Sequence, residues 1–258
     1  MRALADTWTM TKRSLRHTTR SLDTIITVVL SPIALLLLFV YVFGGALGEQ
    51  TGSIEYVDFI TPGVIIMTVV SGISYAALRL STDLQKGIIS RFRTMPVAPS
   101  SVLSGQALSS TLSNLFSCFL VVMVALLVGF RPAADPVAWF SFFGLLVLFI
   151  LATTWLGMFF GLLARTPEGA GAFSYILLLL IFISPSFVPT GSMTPLLRGF
   201  AENQPMTPII QTMRSLLTDG VPGPDAWVAV GWAVGILVVS YTLALGVYRR
   251  RAPVPVAQ

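Results

Sequence analysis

VAWFSFFGLLVLFILATTWLGMFFGLLA, residues 137–164, contains no Asp, Glu, Lys or Arg from end to end. A helix crosses the hydrocarbon of a bilayer in about 20 predominantly apolar residues. A central Arg, Lys or Asp costs about 2.5–3.5 kcal/mol on the insertion scale, while each Leu returns only about 0.5. A charge-free run of this length is therefore a membrane span. Five more stretches read the same way, centred on Thr24–Gly48, Phe59–Leu78, Gln106–Phe130, Ala170–Val188 and Ala226–Tyr248. The expected fold is an all-α integral membrane protein with six transmembrane helices, one transmembrane domain over residues 1–258. The fifth stretch is the shortest and ends in Ser184, Pro185, Ser186, Phe187, Val188 and Pro189. Its outer end is the expected place for a break or a re-entrant turn.

Composition agrees. Of 258 residues 55% are hydrophobic and 10% charged, against roughly a quarter charged in a soluble domain, which excludes a soluble globule and disorder alike. A single cysteine excludes a disulfide-stapled or cysteine-ligated metal protein. Some twenty residues precede an apolar run much longer than the about 7–15 residues of a secretory signal, so no cleavage is expected. The net charge of +5 is split among short segments between the spans, a topological pattern rather than a nucleic-acid surface.

Orientation follows from the basic residues. With the N-terminus inside, thirteen of the 16 fall on the cytoplasmic side: Arg2, Lys12, Arg13, Arg16, Arg20, Arg79, Lys86, Arg91, Arg93, Arg165 and Arg249 to Arg251. Only Arg131, Arg198 and Arg214 fall outside. Both termini are expected in the cytoplasm.

The connecting segments carry their own patterns. At about 100° per residue, Leu4, Trp8, Leu15 and Leu22 fall within about 40° of one another, opposite Lys12, Arg13, Arg16 and Arg20. This predicts an amphipathic interfacial elbow helix over 2–22, lying on the inner leaflet. His17, the one histidine, is a surface residue of that helix. The second cytoplasmic connection, 81–101, reads STDLQKGIISRFRTMPVAPSS. Leu84, Ile88, Phe92 and Met95 form a helical stripe with Lys86 and Arg93 opposite, and Pro96 and Pro99 stop it, which predicts a helix over 82–96. It either lies flat on the membrane or is a lever pressed by a soluble partner. On the third span, Gln106, Ser109, Ser110, Ser113, Asn114 and Ser117 share one face. That face serves helix packing or, as the alternative, a substrate path. The GxxxG pairs Gly44/Gly48, Gly157/Gly161 and Gly231/Gly235 carry little weight in a chain with 21 glycines. Thr166, Pro167 and Glu168 read as a helix start, with Thr166 as N-cap. The extracytoplasmic segment 190–225 holds one short apolar helix begun at Pro208, with Ile209, Ile210, Met213, Leu216 and Leu217, expected to rest on or dip into the outer leaflet.

Several chemistries are absent from the sequence. There is no GxSxG elbow, no HExxH and no second histidine, so neither a catalytic site nor a metal site is expected. Without GxxxxGK[ST] the chain has no phosphate loop of its own for ATP. The span interiors hold no ionisable residue of the kind that couples transport to protons or sodium. Energy for uphill movement must come from another chain. A passive channel or a structural membrane protein stays open as an alternative at this point.

The segment Asp83 to Pro96 resembles the first cytoplasmic loop of the type-two ABC transporter permeases, in their daunorubicin-resistance-like drug-export branch. Phe187-Val188-Pro189, then Met193, then Phe200 to Pro208, Arg214 and Leu216 resemble that family's fifth span end and outer segment. The resemblance implies a permease subunit of an ATP-driven exporter in a prokaryotic cell membrane, not itself an enzyme. Its partners would be two copies of a separate ATPase that binds ATP and Mg, and a second permease chain, identical or paralogous. The cargo implied is an amphipathic drug, antibiotic or lipid; polysaccharide or glycolipid export by the same architecture is the alternative. Carried over by position, the ATPase would dock on Asp83, Lys86, Gly87, Arg91, Phe92 and Arg93, and the 82–96 helix would be the coupling helix. The gate would fall near Phe182, Ser184, Pro185 and Phe187, with Ser113 and Asn114 on the substrate path.

Overall fold

The computed structural model describes residues 30–45, 55–87 and 99–250, and among these there is no strand. The helices are α1 (Ser31–Leu38, continued by a π-helical turn Phe39–Phe43), α2 (Tyr56–Gln85), α3 (Pro99–Val128) and α4 (Pro136–Leu163). They are followed by α5 (Pro167–Ala172), α6 (Ser174–Phe182), α7 (Pro195–Asn203), α8 (Met206–Thr218) and α9 (Ala226–Arg250). Helices α2, α3, α4 and α9 are long and apolar enough to cross a bilayer; Ser31–Phe43 and Pro167–Phe182 are shorter apolar segments. The elbow helix expected over 2–22, the start of the first span and the positions of Arg91, Phe92 and Arg93 lie outside the described residues.

Helix α2 is the axis of the bundle. It is buried nearly all round, from Tyr56 through Val64, Val69 and Ile73 to Leu80, and α1, α3, α4, α5, α6 and α8 all pack on it. Such close packing requires small residues where helices cross. A Cβ on Gly157 would lie 2.6 Å from Ile73 Cγ2, and one on Gly161 would lie 2.8 Å from the Ala77 carbonyl oxygen. The Gly157/Gly161 pair, undistinguished in the sequence, is the seat of the α2–α4 crossing. Gly231 and Gly235 have open space around them. Asn114 of α3 donates to the Val69 carbonyl at 3.0 Å, and it occupies the space that a side chain on Gly72 would need. Helix α9 packs on α4 through a stripe of mostly small residues, Ala229, Ala233, Ser240 and Ala244, and leaves much of its remaining surface exposed.

Large apolar side chains cover the outside of the bundle, among them Trp227 (85% exposed), Leu127 (83%) and Phe140 (81%). In water this surface would aggregate; against acyl chains it is matched.

Three boundaries differ from the sequence reading. The helix expected over 82–96 does not start as a separate element: residues up to Gln85 finish α2, which Gly87 closes in the left-handed region at φ +65°, with its N–H bonded to the Leu84 carbonyl at 3.1 Å. The rest of the expected helix, from Ile88 on, lies outside the described residues. The fifth stretch, expected as a span over Ala170–Val188, is two short helices that meet at Phe173, and helix ends at Phe182. The outer segment 190–225 has a 3-10 turn at Thr190–Ser192 and two α-helices instead of one, and the second α-helix begins at Met206, ahead of Pro208. The first turn of a helix has no intrahelical use for its N–H groups, so Pro208 fits inside it as well as at its start. Helix α8 does not lie on a leaflet surface: Met206, Ile209, Ile210, Met213, Leu216 and Leu217 are buried, and it packs on α2, α4 and α9. The start at Thr166 stands as read, its hydroxyl accepting from the Gly169 N–H at 3.1 Å.

Candidate functional site

The irregular segment that follows α6, residues 183–189, is buried from Ser184 to Phe187, and its last helical hydrogen bond is that of the Ile183 N–H to the Leu179 carbonyl at 3.0 Å. Backbone groups stripped of partners away from water cost several kcal/mol each in an apolar medium. Three carbonyls at the break have identified donors. Pro185 has no N–H, and the Ser184 N–H turns to the Ile181 carbonyl at 3.1 Å. The Leu180 carbonyl, left without its helical donor, accepts from Gln204 Nε2 at 2.8 Å. The Ile181 carbonyl also accepts from the Ser184 hydroxyl at 2.5 Å, and Ser184 and Ser186 share a hydrogen bond at 2.7 Å. The Pro185 carbonyl accepts from Arg214 Nη2 at 2.6 Å.

Arg214 is carried into this place by α8, whose buried apolar stripe fixes the helix. The same guanidinium donates from Nε and Nη2 to the Phe59 carbonyl on α2, at 3.1 and 2.9 Å. It lies over the Phe59 ring, 3.8 Å from the centroid, which adds a cation–π attraction. Phe59 precedes Pro62, an internal proline of α2 that removes one helical rung and crowds its neighbours. Burial pulls the guanidinium's pKa down to about 10, which leaves it charged at neutral pH.

On its other flank the segment sits in a notch. A Cβ on Gly63 would lie 2.8 Å from both the Cβ and the carbonyl oxygen of Ser186, so α2 and the segment touch backbone to backbone. Above them the rings of Phe39 and Phe187 stack at 4.7 Å and 9°, Phe182 approaches Phe187 at 5.3 Å, and Phe43 approaches Phe39 at 5.5 Å. Phe39 opens the π-helical turn of α1. The first and fifth apolar segments thus meet through an aromatic ladder at the break.

Of the residues singled out in the sequence, Phe182, Ser184, Pro185 and Phe187 come together here; Ser184, Pro185 and Phe187 are buried and Phe182 is exposed. Ser113 and Asn114 do not join them. Asn114 bonds to Val69, about 9 Å further along α2 than Gly63 at 1.5 Å per residue, and Ser113 lends its carbonyl to Ser117 at 3.1 Å. Asp83, Lys86 and Gly87 lie at the opposite end of α2. Gln85 there donates to the Arg165 carbonyl at 3.0 Å, tying together the two turns read as cytoplasmic.

Arg214, Gln204, Phe59 and Gly63 were not read from the sequence as site residues. One signal was legible: at about 100° per residue, Arg214 falls about 40° from Ile210 and about 60° from Leu217. It is a cation inside the apolar face of a helix. Nothing local marks Gly63, whose partner is far along the chain.

Residues 5–218 match the model of the ABC-2 type transporter family. The chain is 30% identical over 228 residues to the daunorubicin resistance ABC transporter permease protein DrrB1 of Streptomyces coeruleorubidus, covering 88% of this chain and 80% of that one. It is 26% identical over 255 residues to the probable doxorubicin resistance ABC transporter permease protein DrrC of Mycobacterium tuberculosis, covering 96% of this chain and 89% of that one.

Proposed function

The chain belongs to the ABC-2 type transporter family and is a membrane permease of an ABC exporter; on that premise we propose that it exports amphipathic drugs, antibiotics or lipids from a prokaryotic cell through its plasma membrane. The ATP is bound, with Mg, and hydrolysed by two copies of a separate subunit, and a second permease chain completes the path. Six spans with both termini in the cytoplasm fit the four long helices together with the two shorter apolar segments, α1 and α5–α6.

One observation carries the assignment of the outlet: the fifth apolar segment stops short at Phe182, and side chains of other elements bond the carbonyls on either side of that end, Gln204 that of Leu180 and Arg214 that of Pro185. A span closed by such bonds can open by exchanging them, whereas an unbroken helix cannot. Phe182, Ser184, Pro185 and Phe187 form this gate, and the aromatic rings above it suit an apolar, flat cargo. Ser113 and Asn114 belong to the path below it. At the other end of α2, Asp83, Lys86 and Gly87 begin the surface on which the ATPase docks, continued by Arg91, Phe92 and Arg93.

The test is co-expression with a candidate ABC ATPase subunit from the same genome, in cells lacking their own drug exporters. Resistance to several amphipathic drugs and co-purification of the two chains are expected. Co-purification with no gain of resistance to any of them, but with export of a lipid-linked polysaccharide, would replace the cargo class.

A further inference from the structure

We propose that Arg214 is the latch of the outlet, a positioning residue that holds residues 183–189 closed against α2; this rests on the reading of that segment as the gate. A buried arginine is costly unless it is paired, and among the described residues no carboxylate lies within ion-pair distance of this one. Its partners are two backbone carbonyls and one ring, on two different elements. Both carbonyls stand at faults made by proline: that of Pro185 lies in the break itself, and that of Phe59 beside the rung that Pro62 deletes. The guanidinium fork therefore joins the segment to α2 where each has lost a backbone donor to proline.

Two of the three joined parts are rigid. Helices α2 and α8 are buried, helical and packed on each other and on α4. The third, 183–189, has no regular helix of its own and is held by the Arg214 bond to Pro185, by the stack of Phe187 on Phe39 and by the Gly63 notch. When the latch lets go, this segment is the part that moves. Carbonyl dipoles and a ring suit such a role better than a carboxylate would: each bond is modest, a water can replace it, and no uncompensated acid is left behind. Lysine retains the charge but not the fork, and cannot serve both carbonyls with the same geometry.

The experiment uses the full chain with its ATPase in sealed vesicles. Ser186, fully buried, is replaced by Cys in a Cys118→Ala background, and a membrane-impermeant maleimide is added on the side away from the ATPase. Arg214→Met should speed labelling of residue 186 without ATP by about tenfold or more, the factor that one charge-assisted hydrogen bond supplies, and Arg214→Lys should fall between. The native Cys118, buried on α3, is the control in chains with Ser186 intact. Its labelling should stay slow in both variants, because a latch frees one segment and misfolding frees everything.

A disulfide between Gly63→Cys and Ser186→Cys, whose Cβ atoms must move about 1 Å beyond the 2.8 Å of the closed structure, should slow ATP-independent uptake of fluorescent doxorubicin in Arg214→Met relative to the same chain reduced, and should stop ATP-driven export in every background until it is reduced. If that disulfide stops export while Arg214→Met labels at the native rate, the latch is overturned and the gate stands. Export that proceeds through the closed disulfide removes the gate and the latch together. If Cys118 becomes labelled along with residue 186 in both Arg214 variants, the arginine is a general brace and the latch is overturned.

Discussion

Replacing Gly63 by Ala perturbs the outlet with a single methyl group. The added carbon would sit 2.8 Å from the Cβ and the carbonyl oxygen of Ser186, and 3.0 Å from its Cα. Relaxed carbon contacts lie at about 3.5–4.0 Å, so the segment must retreat by roughly 1 Å. Its backbone, unlike a flexible side-chain tip, cannot swing aside. Overpacking of this kind costs about 1–3 kcal/mol. The gain of up to about 1 kcal/mol from exchanging Gly for Ala in a helix acts on α2 whether the outlet is closed or open, and cancels from their balance. The closed state should therefore lose about five- to 150-fold in population relative to the open one. Maleimide labelling at Ser186→Cys and ATP hydrolysis without cargo should both rise. Gly235→Ala, with open space around it, should leave both unchanged. Gly161→Ala, whose Cβ meets the Ala77 backbone, should lower thermal stability without selective labelling of residue 186. A Gly63→Ala permease with native labelling and native ATP turnover would refute the argument that this notch seats the segment.

Four further outcomes are expected. Phe187→Ala removes the stack on Phe39 and should change which amphipathic compounds are exported while the protein stays in the membrane, as a resistance panel would show; an unchanged panel counts against the aromatic ladder as a filter. Asn114→Ala should destabilise the α2–α3 contact by about 0.6–2 kcal/mol, the range for a hydrogen bond between membrane helices, read as a fall in unfolding temperature. Phe92→Ala should weaken ATPase co-purification by roughly thirtyfold if an aromatic anchor of about 2 kcal/mol docks there, and undiminished binding would return the loop to a membrane-lying role. Cysteines replacing Thr51 and Ser192 should be labelled from outside intact cells and those replacing Ser90 and Ala257 should not; labelling of residue 90 would overturn the topology.

What the sequence made legible was whatever local chemistry dictates. Charge-free runs gave the long helices because the insertion cost of a charge is paid residue by residue, and Thr166 gave a helix start because its cap bond reaches only to Gly169. Ser184 and Pro185 marked the break for the same reason: a missing N–H is visible in one letter. The extent of the break was not visible, since helix ends at Phe182 because Gln204, Ser184 and Arg214 compensate for its loss, and two of those lie in another segment. Gly63, Gly72, Gly157 and Gly161 differ from Gly231 and Gly235, also inside helices, only in what lies opposite them. Arg214 was the nearest miss. It is one of the three outer cations that topology accounts for, yet its place within the stripe of Ile210, Met213 and Leu217 requires it either to be buried or to distort its helix.

The most direct measurement is ATP-driven movement of a fluorescent amphipathic drug into inside-out proteoliposomes containing this chain and its ATPase. The account predicts accumulation that needs both chains and ATP, and that ceases when residue 63 is joined by a disulfide to residue 186. Equal drug distribution with and without the permease, at an undiminished rate of ATP hydrolysis, would contradict it.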